Sequence, residues 1–294
     1  MSKTYLVTGA TGKTGKHTTR ILLEKGHKVR ALVHREDGRS AALAEAGAEV
    51  VVGDLTDHDA VIGAVAGVNA AYFCYPIRAD LIDVTAYFAD AAQRAGIELI
   101  VNMSQISARD VAKSHAARNH WIAERVFDWS GVPTAHIRPT FFSEWLTFPW
   151  VSNVIADESV IELPYGEGRH APVTGEDQAR LIAAMLENPA EHVGKTYPLY
   201  GPVELSEAEI AARMSEVLGR KISYRPATAE AYTARLKSFG LDDFIIQHFL
   251  CIAEDCRNGV FAGTNNIIET FTGKPPMTVE AFVEQNRAVF DRSA

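Results

Sequence analysis

The stretch Thr4-Tyr-Leu-Val-Thr-Gly-Ala-Thr-Gly-Lys-Thr-Gly15 decides the fold of this chain. A short apolar run passes into three glycines at three-residue spacing, and a helical pattern follows over roughly residues 13–25. Gly9 permits a tight turn, Gly12 lets the backbone approach a pyrophosphate, and Gly15 lets the helix pack closely on the strand. The N–H groups and positive dipole at the start of that helix favour phosphates. Because strand, glycines and helix occur together, the stretch predicts a dinucleotide site rather than a merely structural turn.

Strands and helices alternate regularly after this stretch. Strands are predicted at residues 5–7, 28–33, 49–52, 70–74, 99–103 and 134–138, and helices at 40–46, 59–66, 81–95 and 114–124. This alternation predicts an α/β fold, a Rossmann-type doubly wound parallel sheet with helices on both faces. We expect residues 1–150 to form the dinucleotide-binding domain. Residues 151–294 should form a smaller α+β substrate cap, packed on the first domain and partly interleaved with its sheet.

The end of the second strand bears on the choice of cofactor. An acidic side chain there would bind the ribose 2′-hydroxyl of NAD, whereas an Arg accommodates the 2′-phosphate of NADP. The sequence has His34 and Arg35 at this point, with Arg39 close behind. A solvated loop of mixed charge is the alternative, but the pattern favours NADPH as the cofactor.

The turn after the third strand contains Asp54 and Leu55, which we expect beside the adenine, while Asp57 can cap the following helix. Tyr75 and Ser104 follow the fourth and fifth strands, at the sheet edge where ligands of open α/β folds collect. The predicted cofactor-binding residues are Gly9, Thr11, Gly12, Lys13, Thr14, Gly15, His34, Arg35, Asp54, Leu55, Tyr75 and Ser104.

Composition excludes several classes of function. The 294 residues are 47% hydrophobic and 22% charged, as in an ordinary globular protein, and the formal charge of −8 argues against a nucleic-acid surface. No apolar run approaches a membrane span, and no signal-peptide pattern opens the chain. The three cysteines lack metal-ligand spacing, so we expect free thiols, no metal and a cytoplasmic location.

Five aromatic residues fall within residues 141–150, directly after the sixth strand. They can form a core, because aromatic side chains bury large areas, or they can line the pocket of a flat conjugated substrate. The predicted substrate-lining residues are Gln105, Phe142, Trp145, Trp150 and Tyr165.

Later segments add a family resemblance to this pattern. Gly53-Asp54-Leu55, Ser130-Gly-Val-Pro133, Ile137-Arg-Pro139, Ala171–Ala179 and Phe271–Pro275 resemble the NmrA-like group of atypical short-chain dehydrogenases/reductases. That group includes triphenylmethane reductase and NAD(P)H:quinone reductases, and the resemblance runs nearly end to end. It implies an NAD(P)-binding oxidoreductase.

The catalytic helix departs from the wider superfamily. The resemblance implies a Tyr followed four residues later by a Lys, and often by a Glu four residues further on. If Glu124 is that Glu, His120 occupies the Lys position and Ala116 occupies the Tyr position. His115 and His120 are the candidate catalytic residues, although structural roles are open for both. Their five-residue spacing separates them by about 140° on a helix, so one ring should point into the site, and a shared metal is disfavoured.

Without the Tyr-Lys acid, the chain should reduce acceptors that take hydride without prior protonation. We therefore expect an NADPH-dependent reductase of a quinone, an azo or triphenylmethane dye, or an iminium, working as a monomer or homodimer. The alternative is a non-catalytic redox sensor that binds NAD(P) and regulates a partner protein. A nucleotide-sugar epimerase or dehydratase is disfavoured because those reactions depend on the missing pair.

Overall fold

The computed structural model describes residues 2–291 and is organised around a seven-stranded parallel sheet. The strands are β1 (Thr4–Val7), β2 (Lys28–Val33), β3 (Glu49–Val52), β4 (Ala70–Phe73), β5 (Ile100–Met103), β6 (Thr134–Pro139), β7 (Val160–Leu163), β8 (Arg169–His170), β9 (Thr196–Leu199), β10 (Leu205–Ser206) and β11 (Ser223–Pro226). The helices are α1 (Gly15–Glu24), α2 (Gly38–Glu45), α3 (His58–Val65), α4 (Leu81–Ala95), α5 (His115–Ser130), α6 (Pro149–Glu158), α7 (Gly175–Glu187), α8 (Glu207–Leu218), α9 (Ala229–Ser238), α10 (Asp243–Arg257), α11 (Ile267–Thr272), α12 (Val279–Gln285) and α13 (Arg287–Phe290). Two 3₁₀ helices cover Ser143–Thr147 and Pro189–Glu191.

The main sheet has the order β3-β2-β1-β4-β5-β6-β9, and every neighbouring pair is parallel. Strand order reverses at β1, which lies between β2 and β4, so a crevice opens at the carboxyl end of β1. Tyr5, Leu6 and Val7 are fully buried because helices cover both faces of the sheet. The predicted Rossmann-type fold is therefore confirmed.

Helix ends follow capping chemistry that the sequence shows only in part. Asp57 caps α3 as expected, accepting from the Asp59 and Ala60 amides at 3.0 and 3.3 Å. Asp37 forms a capping box with Ser40, which starts α2 two residues before the predicted position. In the same way, α5 extends past its predicted end at residue 124 and stops where Gly131 adopts φ +75°.

Part of the region after residue 150 is built into the main sheet and its helices. β9, which lies within residues 151–294, is the seventh strand of the main sheet, where it pairs with β6. α7 packs on α1, and Leu181 and Ile182 share the core that contains Tyr5. β9 is therefore part of the main sheet, and α7 is one of the helices that cover it.

A second hydrophobic core holds the cap together. It is formed by α6, α8, α9, α10 and α12 with β7 and β11, and includes the buried residues Ile161, Met214, Leu236, Ile252 and Phe282. Phe141 and Leu146, which follow β6, also belong to this core, so the cap is joined to the edge of the sheet. Within residues 2–291 no helix is both long and apolar enough to cross a membrane.

Candidate active site

The glycine loop has a conformation that only glycine fits well. Gly9 adopts φ +58°, and its carbonyl accepts from the Gly12 amide at 2.9 Å. A Cβ added at Gly15 would lie 2.2 Å from the Gly9 oxygen, so α1 begins in direct contact with the loop. The Lys16 amide donates to the Gly12 carbonyl at 3.3 Å, and the other N–H groups at the start of α1 have no acceptor within the helix, so they can bind an anion. This arrangement fits the pyrophosphate of a dinucleotide.

A cavity of about 290 Å³ runs from this loop along the carboxyl ends of β4 and β5 to the cap. It is lined mainly by apolar groups, and it is large enough to hold part of a cofactor together with a planar acceptor. The lining residues are Gly9, Gly12, Lys13, Thr14, Gly15, Cys74, Tyr75, Pro76, Ile77, Met103, Ser104, Gln105, His120, Pro139, Thr140, Phe142, Glu144, Trp145, Phe148, His248, Ile252 and Phe261.

Many residues predicted from the sequence meet in this cavity. Of the predicted cofactor-binding residues, the cavity is lined by Gly9, Gly12, Lys13, Thr14, Gly15, Tyr75 and Ser104. Of the predicted substrate-lining residues, it is lined by Gln105, Phe142 and Trp145. His120 also lines it and is 6% exposed. One continuous space therefore connects the predicted phosphate cradle with the predicted aromatic wall.

The other predicted cofactor residues lie outside the cavity. His34 is exposed after β2 and Asp54 is half-buried after β3, and His34 Nε2 lies 3.2 Å from Asp54 Oδ2. Arg35 is exposed beside His34, whereas Leu55 is buried in the core between the sheet and its helices. Thr11 is half-buried in the glycine loop. His34, Arg35 and Asp54 follow the carboxyl ends of β2 and β3, where the sequence predicts the adenosine part of the cofactor.

Two predicted substrate-lining residues lie behind the cavity rather than in its wall. Tyr165 is 3% exposed and stacks on Phe141 with ring centroids 5.0 Å apart. Trp150 packs on Phe148 at 4.8 Å and on Phe249 at 6.1 Å. Both line a smaller, separate space of about 30 Å³ within the aromatic core of the cap. They support the wall that Trp145 and Phe148 form, because the cap core continues directly behind it.

The two candidate histidines of α5 point in different directions, as their five-residue spacing predicts. His115 is exposed at the first turn, near Phe244, and does not line the cavity. The structure therefore does not bring His115, one of the two candidate catalytic residues, to the cavity. Ala116 is buried at the position that corresponds to the missing Tyr, so no hydroxyl replaces that acid there.

Two buried imidazoles face the cavity. Burial lowers the pKa of His120 to about 4, although Glu124 opposes this shift. Burial also lowers the pKa of His248, a residue of α10, to about 3, with His120 adding to the effect. Both rings are consequently neutral near pH 7 and can act as hydrogen-bonding groups rather than as charged acids.

Ser104 is anchored from behind by a buried carboxylate. Its hydroxyl donates to Glu124 Oε1 at 2.6 Å, and Arg138 donates to the same carboxylate at 2.8 and 2.5 Å. Glu124 is fully buried, so Arg138 compensates its charge. Because the Ser104 hydroxyl proton is engaged, the oxygen faces the cavity as an acceptor, which suits the carboxamide of a nicotinamide.

Sequence reasoning missed part of the cavity wall. His248, Ile252 and Phe261 come from the cap, far from the glycines in sequence, and no local motif marks them. Phe148 lies within the aromatic stretch and could have been selected with Trp145. Glu144 was also missed: its Oε1 accepts from the Gly175 amide at 2.8 Å, and burial raises the pKa of its carboxyl.

Comparisons with known proteins agree with this geometry. The NmrA-like family matches residues 1–263. The chain is 26% identical over 287 residues to an NAD(P)H azoreductase of Xenophilus azovorans, covering 97% of this chain and 98% of the relative. It is 30% identical over 274 residues to a (4-alkanoyl-5-oxo-2,5-dihydrofuran-3-yl)methyl phosphate reductase of Streptomyces griseus, covering 92% and 93%. The fold matches triphenylmethane reductase of Citrobacter sp., solved with NADP(H), at a TM-score of 0.83, 24% identity and coverage of 96% and 99%.

Proposed function

This chain belongs to the NmrA-like family and is an NAD(P)H-dependent oxidoreductase, and we propose that it transfers hydride from NADPH to an electron-poor conjugated acceptor. Quinones, azo compounds and cationic triarylmethane dyes are the acceptor classes that this proposal includes. The observation that carries it is the continuous cavity between the glycine loop and the aromatic wall, in a sequence that has no Tyr followed four residues later by a Lys.

The residues of the chain have separable tasks in this function. The glycine loop and the start of α1 would hold the pyrophosphate, Ser104 would orient the nicotinamide, and Arg35 would accept the 2′-phosphate of NADPH. The bound cofactor supplies the hydride. Phe142, Trp145 and Phe148 provide flat apolar surfaces that exclude water and orient a planar acceptor.

The buried residue at the Tyr position limits which acceptors can react. An unactivated ketone needs a proton as hydride arrives, and Ala116 cannot give one. An acceptor of low electron density takes hydride without that proton. Two neutral imidazoles in the wall also suit an uncharged or delocalised acceptor better than a compact anion.

The proposal is tested by measuring NADPH oxidation with a panel of benzoquinones, azo dyes and triarylmethane dyes. Turnover of at least one class, with little or no reduction of simple aliphatic ketones, supports it. Tight binding of NADP with no turnover of any acceptor contradicts it and favours the sensor that the sequence left as the alternative. NADH in place of NADPH, in the same assay, tests the cofactor preference.

A further inference from the structure

An imidazole from the cap meets the catalytic helix at the cavity. His248 lies on α10, is 2% exposed, and lines the cavity together with His120. Its Nδ1 lies 2.8 Å from the hydroxyl oxygen of Ser114, the residue that caps α5. The contact joins two elements that are separated by more than a hundred residues of sequence and fixes the orientation of the ring.

The surroundings of Ser114 determine which nitrogen of His248 carries the proton. Ser114 is fully buried, and its oxygen already accepts from the Ala117 amide at 3.1 Å. Within residues 2–291, the only other partner of this hydroxyl is His248 Nδ1. If Nδ1 carried the proton, the hydroxyl proton would be buried without an acceptor, which costs free energy. Ser114 therefore donates to Nδ1, and the imidazole proton lies on Nε2.

Two hydroxyl groups of the cavity wall, those of Ser104 and Thr140, are already committed as donors. The Ser104 hydroxyl donates to Glu124 at 2.6 Å, and the Thr140 hydroxyl donates to the Ala171 carbonyl at 2.6 Å. Neither proton is available to a bound acceptor. His248 differs because Ser114 occupies only one of its nitrogens, so the Nε2–H is left for the cavity.

We propose that His248 is a catalytic residue, whose neutral Nε2–H donates a hydrogen bond to the acceptor atom on which negative charge develops, and that Ser114 is its positioning residue. This inference rests on the proposed function and specifies how the site replaces the missing Tyr. A preorganised donor aimed at developing charge is a large source of rate enhancement in enzymes. A neutral imidazole can fill that role without giving up its proton.

The chemistry predicts different effects for different acceptors. Hydride from the reduced nicotinamide carries two electrons to a quinone and leaves the hydroquinone monoanion, which takes its proton from water. The anionic oxygen is the atom that His248 would stabilise. Hydride transfer to a cationic triarylmethane dye forms a C–H bond at the central carbon and gives a neutral product. No anion develops in that reaction, so the donor contributes little.

The first test reads the tautomer directly by nitrogen NMR of protein labelled with nitrogen-15 histidine, in the presence of NADP. We expect His248 as the Nε2–H tautomer and neutral near pH 7. Ser114→Ala should lose this preference, while Ser114→Thr, which keeps both the hydroxyl and the helix cap, should retain it. An Nδ1–H tautomer, or a charged ring, in the unmodified protein would overturn the inference.

The second test compares kcat/KM for a benzoquinone and a cationic dye in His248→Phe. We expect about 10²-fold loss with the quinone and only a few-fold loss with the dye. Equal losses with both, no loss with either, or a quinone-selective loss in His120→Phe alone would overturn the inference. A retained kcat/KM for the dye shows that the variant is folded and binds NADPH. If the unmodified protein reduces no acceptor, the proposed function itself fails and this inference fails with it.

Discussion

Replacing Gly15 with Ala tests the close contact between α1 and the glycine loop. The added Cβ would lie 2.2 Å from the Gly9 oxygen, 2.8 Å from the Gly9 carbonyl carbon and 2.9 Å from the Ala10 Cα. Contacts of Cβ atoms below 3.0 Å are essentially never seen, so the helix start must move by at least 3.0 − 2.2 = 0.8 Å. All three neighbours are backbone atoms, and no side-chain rotation can relieve the contact.

We expect this substitution to lower the free energy of unfolding by about 1–3 kcal/mol, the usual cost of overpacking. It should also weaken NADPH binding by roughly 10–100-fold, because the displaced N–H groups line the phosphate end of the cavity. Urea unfolding measures the first effect and fluorescence titration with NADPH measures the second.

Gly63→Ala is the matched control. Gly63 lies within α3, and an added Cβ would meet nothing within 4 Å. Ala is the better helix former, so this variant should be more stable by up to about 1 kcal/mol and should bind NADPH unchanged. If Gly15→Ala behaves like Gly63→Ala in both assays, the assignment of this loop as a close-packed phosphate cradle is wrong.

Three further predictions concern the cofactor, the buried charges and pH. Arg35→Ala should raise the Kd for NADPH by roughly 10–100-fold without changing the Kd for NADH, since Arg35 is exposed beside the crevice. Arg39→Ala is the control and should change neither Kd, because the Arg39 guanidinium is held by a neighbouring carboxylate at 2.6 Å. Glu124→Gln should cost about 3–5 kcal/mol in urea unfolding, because it leaves the guanidinium of Arg138 without its buried counter-ion; a cost below about 1 kcal/mol would refute that role. The pKa of His120 falls from 6.5 in the unfolded chain to about 4 in the folded one, so between these pH values the unfolded state binds one more proton than the folded state. The free energy of unfolding should therefore drop by about 3 kcal/mol as the pH falls from 6.5 to about 4. His120→Gln should remove this part of the pH dependence.

Much of the fold could be predicted because its signals are local. The glycine spacing, the strand and helix periods and the Asp57 cap each depend on a few neighbouring residues, and the structure confirms the sheet, helix α4 at residues 81–95 and this cap. The sequence predicted that residues 151–294 are partly interleaved with the sheet, but it did not indicate which segment enters the sheet. Pairing of β9 with β6 is a long-range event that no local pattern specifies.

The residues of the site also fall into those that local sequence signals indicate and those that depend on long-range packing. The phosphate end and Ser104 could be located from the sequence, since they follow predicted strands at one edge of the sheet. Trp150 was predicted to line the substrate pocket but does not line the large cavity, because aromatic density alone does not distinguish a pocket wall from the core behind it. His248 could not be found at all, because its place depends on how α10 packs against α5.

Transfer of a deuterium label tests most directly the central claim that this protein passes hydride from NADPH to a conjugated acceptor. The measurement uses NADPH deuterated at the transferable position of the nicotinamide and a cationic triarylmethane dye, with mass spectrometry of the reduced dye. The account predicts one deuterium on the central carbon, where it cannot exchange with water. Two results would contradict it. One is that neither this dye nor any other conjugated acceptor is reduced. The other is a reduced dye that carries no deuterium, whichever face of the nicotinamide was labelled.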